Sequence, residues 1–243
     1  MPEASAGVCT ECGAPVAATD NFCERCGREL ANAGGSGSSP AAACRNCGSS
    51  AVTADGYCAE CGHKAPSGRD HLEIDLGALA GVTDRGLRHS RNEDAMALAL
   101  TQTPSGRVAL AVVCDGVSTS HRPDDASVAA AETALRVLTA EVRSGAPAAE
   151  ALTSATRAAH KAVHDLADAS DDAPATTIVS ACATTDSVAI CWVGDSRAYW
   201  LPAGDSDPRL LTRDDSLGEA LVAVGALTET EAVRSEHGHV LTR

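Results

Sequence analysis

The stretch Val108-Ala109-Leu110-Ala111-Val112-Val113-Cys114-Asp115-Gly116 decides the fold. Its first seven residues carry no charge and are rich in Val, the composition of a strand buried in a sheet. The run ends abruptly at Asp-Gly, so a carboxylate stands at the tip of a stiff element that can aim it. Working outward, Ala95–Leu100 reads as a neighbouring strand, and Leu72–Ala80 as another, followed by the polar segment Thr83–Asp94. Downstream, Asp125–Val142 and Ala148–Ala167 carry apolar residues at helical spacing, and Pro147 suits the start of the second helix. Strand-like runs return at Thr176–Ala183, Ser187–Val193 and Arg197–Leu201, and Asp214–Val224 and Thr228–Arg234 read as short helices. Strands, then two helices, then strands predict an α+β layered domain rather than a parallel βαβ sheet.

Composition narrows the chemistry. Of 243 residues, 44% are apolar but only five are aromatic, so the core has to be built from Ala, Val, Leu and Ile. The formal net charge of −14 opposes a broad nucleic-acid interface and docking on anionic membrane. It suits carboxylates gathered to hold divalent cations. No apolar run reaches the roughly 18–20 residues that span a bilayer, and Met1–Val8 lacks the basic and apolar regions of a signal peptide. The expected compartment is the cytoplasm, where eleven cysteines point to metal rather than disulfides.

Eight of those cysteines form a repeat. Cys9-x-x-Cys12-Gly13 is followed by Cys23-x-x-Cys26-Gly27, and the pattern recurs as Cys44-x-x-Cys47-Gly48 and Cys58-x-x-Cys61-Gly62. Each C-x-x-C turn sets two sulfurs on one side of a metal, and a hairpin between two such turns completes a tetrahedral four-thiolate Zn²⁺ site. Two structural Zn²⁺ ions are expected, because units this small fold on metal binding rather than on a core. The expected division is a zinc ribbon over 1–30, a Gly/Ser-rich linker over 31–43, a second ribbon over 44–64, a joint over 65–71 and the α+β domain over 72–243. Besides holding structural zinc, a ribbon can present a protein-docking surface, and the segments resemble the double zinc-ribbon modules attached to many bacterial signalling proteins.

Three segments concentrate carboxylates at strand ends. They are Thr83–Asp94, closing on Glu93-Asp94; Val112–Val117, holding Asp115-Gly116; and Cys191–Tyr199, holding Gly194-Asp195-Ser196-Arg197. Alone, an Asp-Gly pair is a turn and a Glu-Asp pair a solvated face. Together they offer hard oxygen ligands suited to Mg²⁺ or Mn²⁺, and two such ions sharing a carboxylate acidify a shared water for attack on a phosphate ester.

In this order the segments resemble the PPM (type 2C) family of metal-dependent serine/threonine protein phosphatases. The resemblance runs from about Gly81 to Arg243 and includes Ala175-Thr176-Thr177-Ile178 and Leu211-Thr212-Arg213-Asp214-Asp215. It implies a type 2C-like β-sandwich flanked by helices, and hydrolysis of phosphoserine and phosphothreonine in protein substrates. It further implies that Asp115 bridges two metals, that Glu93 and the Gly116 carbonyl complete one of them, that Asp94 holds metal-bound waters and that Asp195 binds a third, weaker ion. The family's phosphate-contacting Arg has His89 at its position here, between Arg88 and Arg91, so the phosphate holder is expected among these three. After Asp-Gly, the family's small glycine or histidine residues are replaced by Val117-Ser118-Thr119, and no general-acid histidine stands at position 117. The chain stops at Leu241-Thr242-Arg243, where the family continues into strands bearing two further aspartate ligands, so a C-terminally incomplete domain is expected. The competing reading is a non-catalytic adaptor that docks through its ribbons and a degenerate phosphatase fold. His160 and His164 are expected on a solvated helix face, and Cys114, Cys182 and Cys191 as small hydrophobes in strands.

Overall fold

The computed structural model describes residues 7–8, 15–16, 47, 49–53, 57–62, 69–87, 89, 91–167, 172–204, 207–235, 238 and 240–242. The chain forms two compact units, Met1–Asn92 with Ala99–Thr101, and Glu93–Leu98 with Gln102–Arg243.

In the first unit, strands β1 (Gly7–Val8) and β2 (Pro15–Val16) pair antiparallel on either side of the first C-x-x-C sequence. The 72–80 run, expected as one strand, is a hairpin instead. Strand β3 (His71–Asp75) pairs antiparallel with β4 (Ala80–Asp84), from His71 opposite Asp84 to Asp75 opposite Ala80. The reversal comes at Gly77, whose φ of +77° suits a residue without a Cβ, and the Asp75 carboxylate accepts from the Gly77 amide at 2.8 Å.

The functional framework is a four-stranded antiparallel-paired sheet in the order β5 (Asp94–Thr103), β6 (Gly106–Asp115), β7 (Ile178–Ala183), β8 (Val188–Val193). Residues 104–105 turn β5 into β6. Burial alternates along β6: Val108, Leu110, Val112 and Cys114 are buried, whereas Val113 and Asp115 are open to solvent. Leu110 lies opposite Cys182, Val112 opposite Ser180, and Ser180 opposite Cys191, so these residues share one face.

Helix α1 (Pro123–Arg143) follows the Asp115-Gly116 turn and packs against helix α2 (Ala148–His164) and against β6. Pro123 opens α1, and Asp124 and Asp125 in its first turn complement the helix dipole. Its buried stripe is Ala126, Ala130, Ala134 and Leu138, met by Ala151, Ala155 and Ala159 of α2. Small residues at i, i+4 spacing let the helices approach closely. Helix α2 rests on β7 and β8, and its Thr156 hydroxyl lies 3.4 Å from the Cys191 sulfur. Among the described residues the buried apolar set contains Ala, Val, Leu, Ile and Cys and no aromatic side chain. Its backbone includes the fully buried Leu110, Leu138 and Leu152, each contributing about 1.5–3 kcal/mol through burial.

Beyond β8, the run expected over 197–201 is reduced to β9 (Tyr199–Trp200), paired with β10 (Arg209–Leu210). Helices α3 (Leu217–Ala223) and α4 (Glu229–Arg234) close the unit. Ser216 caps α3, and Thr228 with Glu231 forms a capping box on α4. Cys114 and Cys182 are buried in strands, Cys191 half-buried, and His160 and His164 exposed on α2.

Candidate metal centre

Asp115 ends β6, and its backbone is held from both sides. Its amide donates to the Thr177 hydroxyl at 3.1 Å, and its carbonyl accepts from the Thr177 amide at 2.8 Å and the Thr176 hydroxyl at 2.9 Å. Gly116 follows with an amide that donates to the Glu93 carbonyl at 3.1 Å. A Cβ at 116 would stand 2.5 Å from that carbonyl oxygen and closer still to that of Pro123, so only glycine lets these segments meet. The contact fixes the start of α1 and the residue before β5 against the tip of β6.

Four carboxylates converge there. Burial, then the neighbouring Asp94, then Asp195 and Glu93, push the Asp115 carboxyl up to about 6. Asp94, at the start of β5, also lies within hydrogen-bonding reach of Asp115. The Asp115 side chain is open to solvent at the end of an inner strand while its charge is crowded by three others. Glu93 accepts a hydrogen bond from the Ser118 hydroxyl.

Asp195 is set by the turn after β8. Gly194 has φ +103°, its amide donates to the Asp215 carboxylate at 3.2 Å, and its carbonyl accepts from the Asp215 amide at 2.9 Å. Arg197 forms a two-pronged pair with Asp214, through Nε at 2.9 Å and Nη2 at 2.6 Å, and this raises the guanidinium above its ordinary range. Residues 211–215 therefore brace residues 194–197. Ser118, Thr177 and Asp215 stand in the sequence motifs without a role assigned to them there. The Thr-Thr and Asp-Asp pairs mark two of them, but nothing local ties Ser118 to a glutamate 25 positions away.

Expected residues are thus brought together at Glu93, Asp94, Asp115 and Asp195, with Gly116 beside them. All are oxygen donors, the chemistry that fits a hard divalent cation. Arg88 lies outside the described residues. His89 is exposed, its carbonyl accepting from Arg85, and Arg91 is half-buried; both belong to the first unit.

In the second cysteine cluster, the sulfurs of Cys47, Cys58 and Cys61 all lie within 4.8 Å of one another, and those of Cys47 and Cys58 are 3.5 Å apart, beyond a disulfide bond. Thiolates on one tetrahedral zinc stand roughly 3.7 Å apart, so the three fit a shared ion. A short hairpin assembles them: Val52 bridges Cys58, Thr53 donates to the Tyr57 carbonyl at 2.7 Å, and Ala59 donates to that of Ala51 at 2.9 Å. The amides of Cys61 and then Glu60 lower the Cys58 thiol below its ordinary range, favouring the thiolate a metal needs. Cys9, Cys12, Cys23, Cys26 and Cys44 lie outside the described residues.

The family model for protein phosphatase 2C matches residues 85–236, and that for the double zinc ribbon matches residues 9–62. The fold is similar to that of the serine/threonine phosphatase Stp1 from Staphylococcus aureus, with a TM-score of 0.56 and 23% identity over 72% of this chain and 65% of that one. It is also similar to the Mycobacterium tuberculosis serine/threonine phosphatase PstP/Ppp, with a TM-score of 0.54 and 26% identity over 66% of this chain and 64% of that one. The catalytic domain of serine threonine protein phosphatase PstP in complex with two manganese ions gives a TM-score of 0.50 and 27% identity, over 62% of this chain and 61% of that one. The chain thus spans 61–65% of the length of these structures. No curated protein matches it. It carries a double zinc ribbon at its N-terminus and, by the match over residues 85–236, belongs to the protein phosphatase 2C family.

Proposed function

We propose that this protein hydrolyses phosphoserine and phosphothreonine in phosphorylated proteins, using Mn²⁺ or Mg²⁺ held at the carboxylate cluster around Asp115. The observation that carries this reading is the crowding of Asp94, Asp195 and Glu93 on Asp115, a repulsion that a divalent cation relieves. When bound, such cations supply positive charge that acidifies water and neutralises the phosphate.

In this reading Asp115 would be a ligand of two ions, with Glu93 and the Gly116 carbonyl as further ligands of one of them. Asp94 orients water by accepting its hydrogen bonds, and Asp195 serves a third, weaker ion. One of Arg88, His89 and Arg91 holds the phosphate. Cys9, Cys12, Cys23 and Cys26 take one Zn²⁺, and Cys44, Cys47, Cys58 and Cys61 a second. The ribbons, over 1–30 and 44–64, present a surface to a protein partner, and the catalytic domain begins at residue 72. No described helix is long and apolar enough to cross a membrane, and the net charge of −14 disfavours nucleic acid and anionic lipid, in keeping with a cytoplasmic signalling role.

The test is turnover of a phosphothreonine peptide by the full-length protein across a Mn²⁺ titration. Asp115→Asn is expected to lower turnover on the order of 100-fold or more while leaving the fold unchanged. Retention of most Mn²⁺-dependent turnover would overturn the assignment. A full-length protein without turnover that still binds a partner through its ribbons would favour the adaptor.

A further inference from the structure

The loop that leaves the metal centre is unusually well tied. The Val117 amide donates to the Ala175 carbonyl at 3.0 Å, and the Ser120 amide donates to the Val117 carbonyl at 2.8 Å. The Ser120 hydroxyl accepts from the Ala175 amide at 3.2 Å and donates to the Ala175 carbonyl at 3.4 Å. Upstream, Gly116 is pinned to Glu93 and, downstream, Arg122 enters α1 in a left-handed conformation with φ 51°. Non-glycine residues adopt that conformation at a cost, and here Arg122 is held by its 2.8 Å bond to Asp125. A loop fixed at both ends can place one of its side chains accurately.

The side chain so placed is Ser118, whose hydroxyl donates to Glu93 Oε2. Ser118 is itself exposed, so water could satisfy its hydroxyl; the bond therefore serves Glu93 rather than Ser118. Glutamate has three rotatable side-chain torsions, and a carboxylate that must meet a cation at one place loses affinity if it wanders. A neutral donor fixes the carboxylate plane without cancelling its charge. A Lys or Arg at 118 would fix it too, but would repel the cation.

We propose that Ser118 is a positioning residue of the metal centre, orienting the Glu93 carboxylate for the divalent cation held with Asp115. The inference rests on the assignment of Glu93 and Asp115 as ligands made under Proposed function. The hydroxyl at 118 then sets metal affinity in this chain, at a position where small glycine or histidine residues were expected from the family pattern.

Mn²⁺ binding to the full chain, followed by the loss of the free-ion electron paramagnetic resonance signal, tests this without recourse to turnover. Ser118→Ala is expected to weaken the tightest Mn²⁺ site about 10- to 100-fold, the usual effect of losing an outer-shell partner. Ser118→Thr, which keeps the hydroxyl, is expected to stay within about threefold of the parent by the same measure. The metal-free melting temperature of both variants should match the parent, since residue 118 is exposed; a purely structural role would shift it. Asp115→Asn is measured alongside. If Asp115→Asn loses Mn²⁺ but Ser118→Ala binds like the parent, or Ser118→Thr is as weak as Ser118→Ala, the positioning role is overturned. If Asp115→Asn binds like the parent, the ligand assignment itself fails and takes the proposal with it.

Discussion

The hydroxyls of Thr177 and Ser196 lie 2.7 Å apart, and the Thr177 oxygen also accepts the Asp115 amide at 3.1 Å. One buried side chain thereby joins the strand end that carries Asp115 to the turn that carries Asp195. The methyl of the same threonine fills the space a Cβ at Gly194 would need, 2.7 Å away. Thr177 thus sets the spacing of two candidate ligands, although it is not itself one.

Replacing Thr177 by Val preserves shape and removes the hydroxyl, leaving the Asp115 amide without that acceptor. The expected cost is about 1–3 kcal/mol of stability, the penalty of an unsatisfied buried donor. Urea denaturation of the metal-free protein measures it. Weaker Mn²⁺ binding should accompany the loss, because Asp115 and Asp195 are no longer registered against each other.

Asp115 predicts a specific pH dependence. Its ordinary value of 3.8 applies in the unfolded chain, and the fold raises it to about 6. Between those values the folded protein binds the proton more tightly, so this group's contribution to stability falls as pH rises and is at its least favourable above about 6. At pH 7, Asp115→Asn should therefore stabilise the metal-free protein by about 1 kcal/mol, a modest figure because solvent screens a half-exposed group. The gain should vanish below about pH 4, where the parent carboxyl is protonated in both states. Protons compete with the cation for the same oxygen, so Mn²⁺ affinity in the parent should decline as pH falls through about 6. Thermal melts with and without Mn²⁺ over pH 4–8 check both signs.

Cys58 is the buried member of the second thiol cluster, and its sulfur is 3.5 Å from that of Cys47. Cys58→Ser should lower bound zinc from two ions per chain to about one, with the ion at the other ribbon retained. Elemental analysis after gel filtration reads the stoichiometry. An unchanged ratio of two would dissociate Cys58 from zinc.

Much of the architecture was legible in residue order. Helices α1 and α2 showed through their Ala and Leu spacing, β6 through its unbroken apolar run, and the knuckles through their repeat. These signals are local and periodic. The hairpin of β3 and β4 was less legible, because apolar residues recur on both sides of Gly77, whose left-handed conformation turns the chain together with the Asp75–Gly77 and Leu76–Leu79 hydrogen bonds. The 197–201 run shrank to two paired residues because its partner strand at 209–210 is itself that short.

The sequence by itself determined which groups this protein can bring to a metal: carboxylates at Glu93, Asp94, Asp115 and Asp195, and thiols at Cys47, Cys58 and Cys61. Residue type and spacing decide donor chemistry, since oxygen suits hard cations and sulfur suits zinc. Only the tertiary structure decided that Thr177 spans the ends of β6 and β8, that Ser118 reaches Glu93, and that burial and three neighbouring like charges raise one carboxyl to about 6. Those relationships depend on closeness between residues 19 to 80 positions apart, which exists only once the sheet has paired.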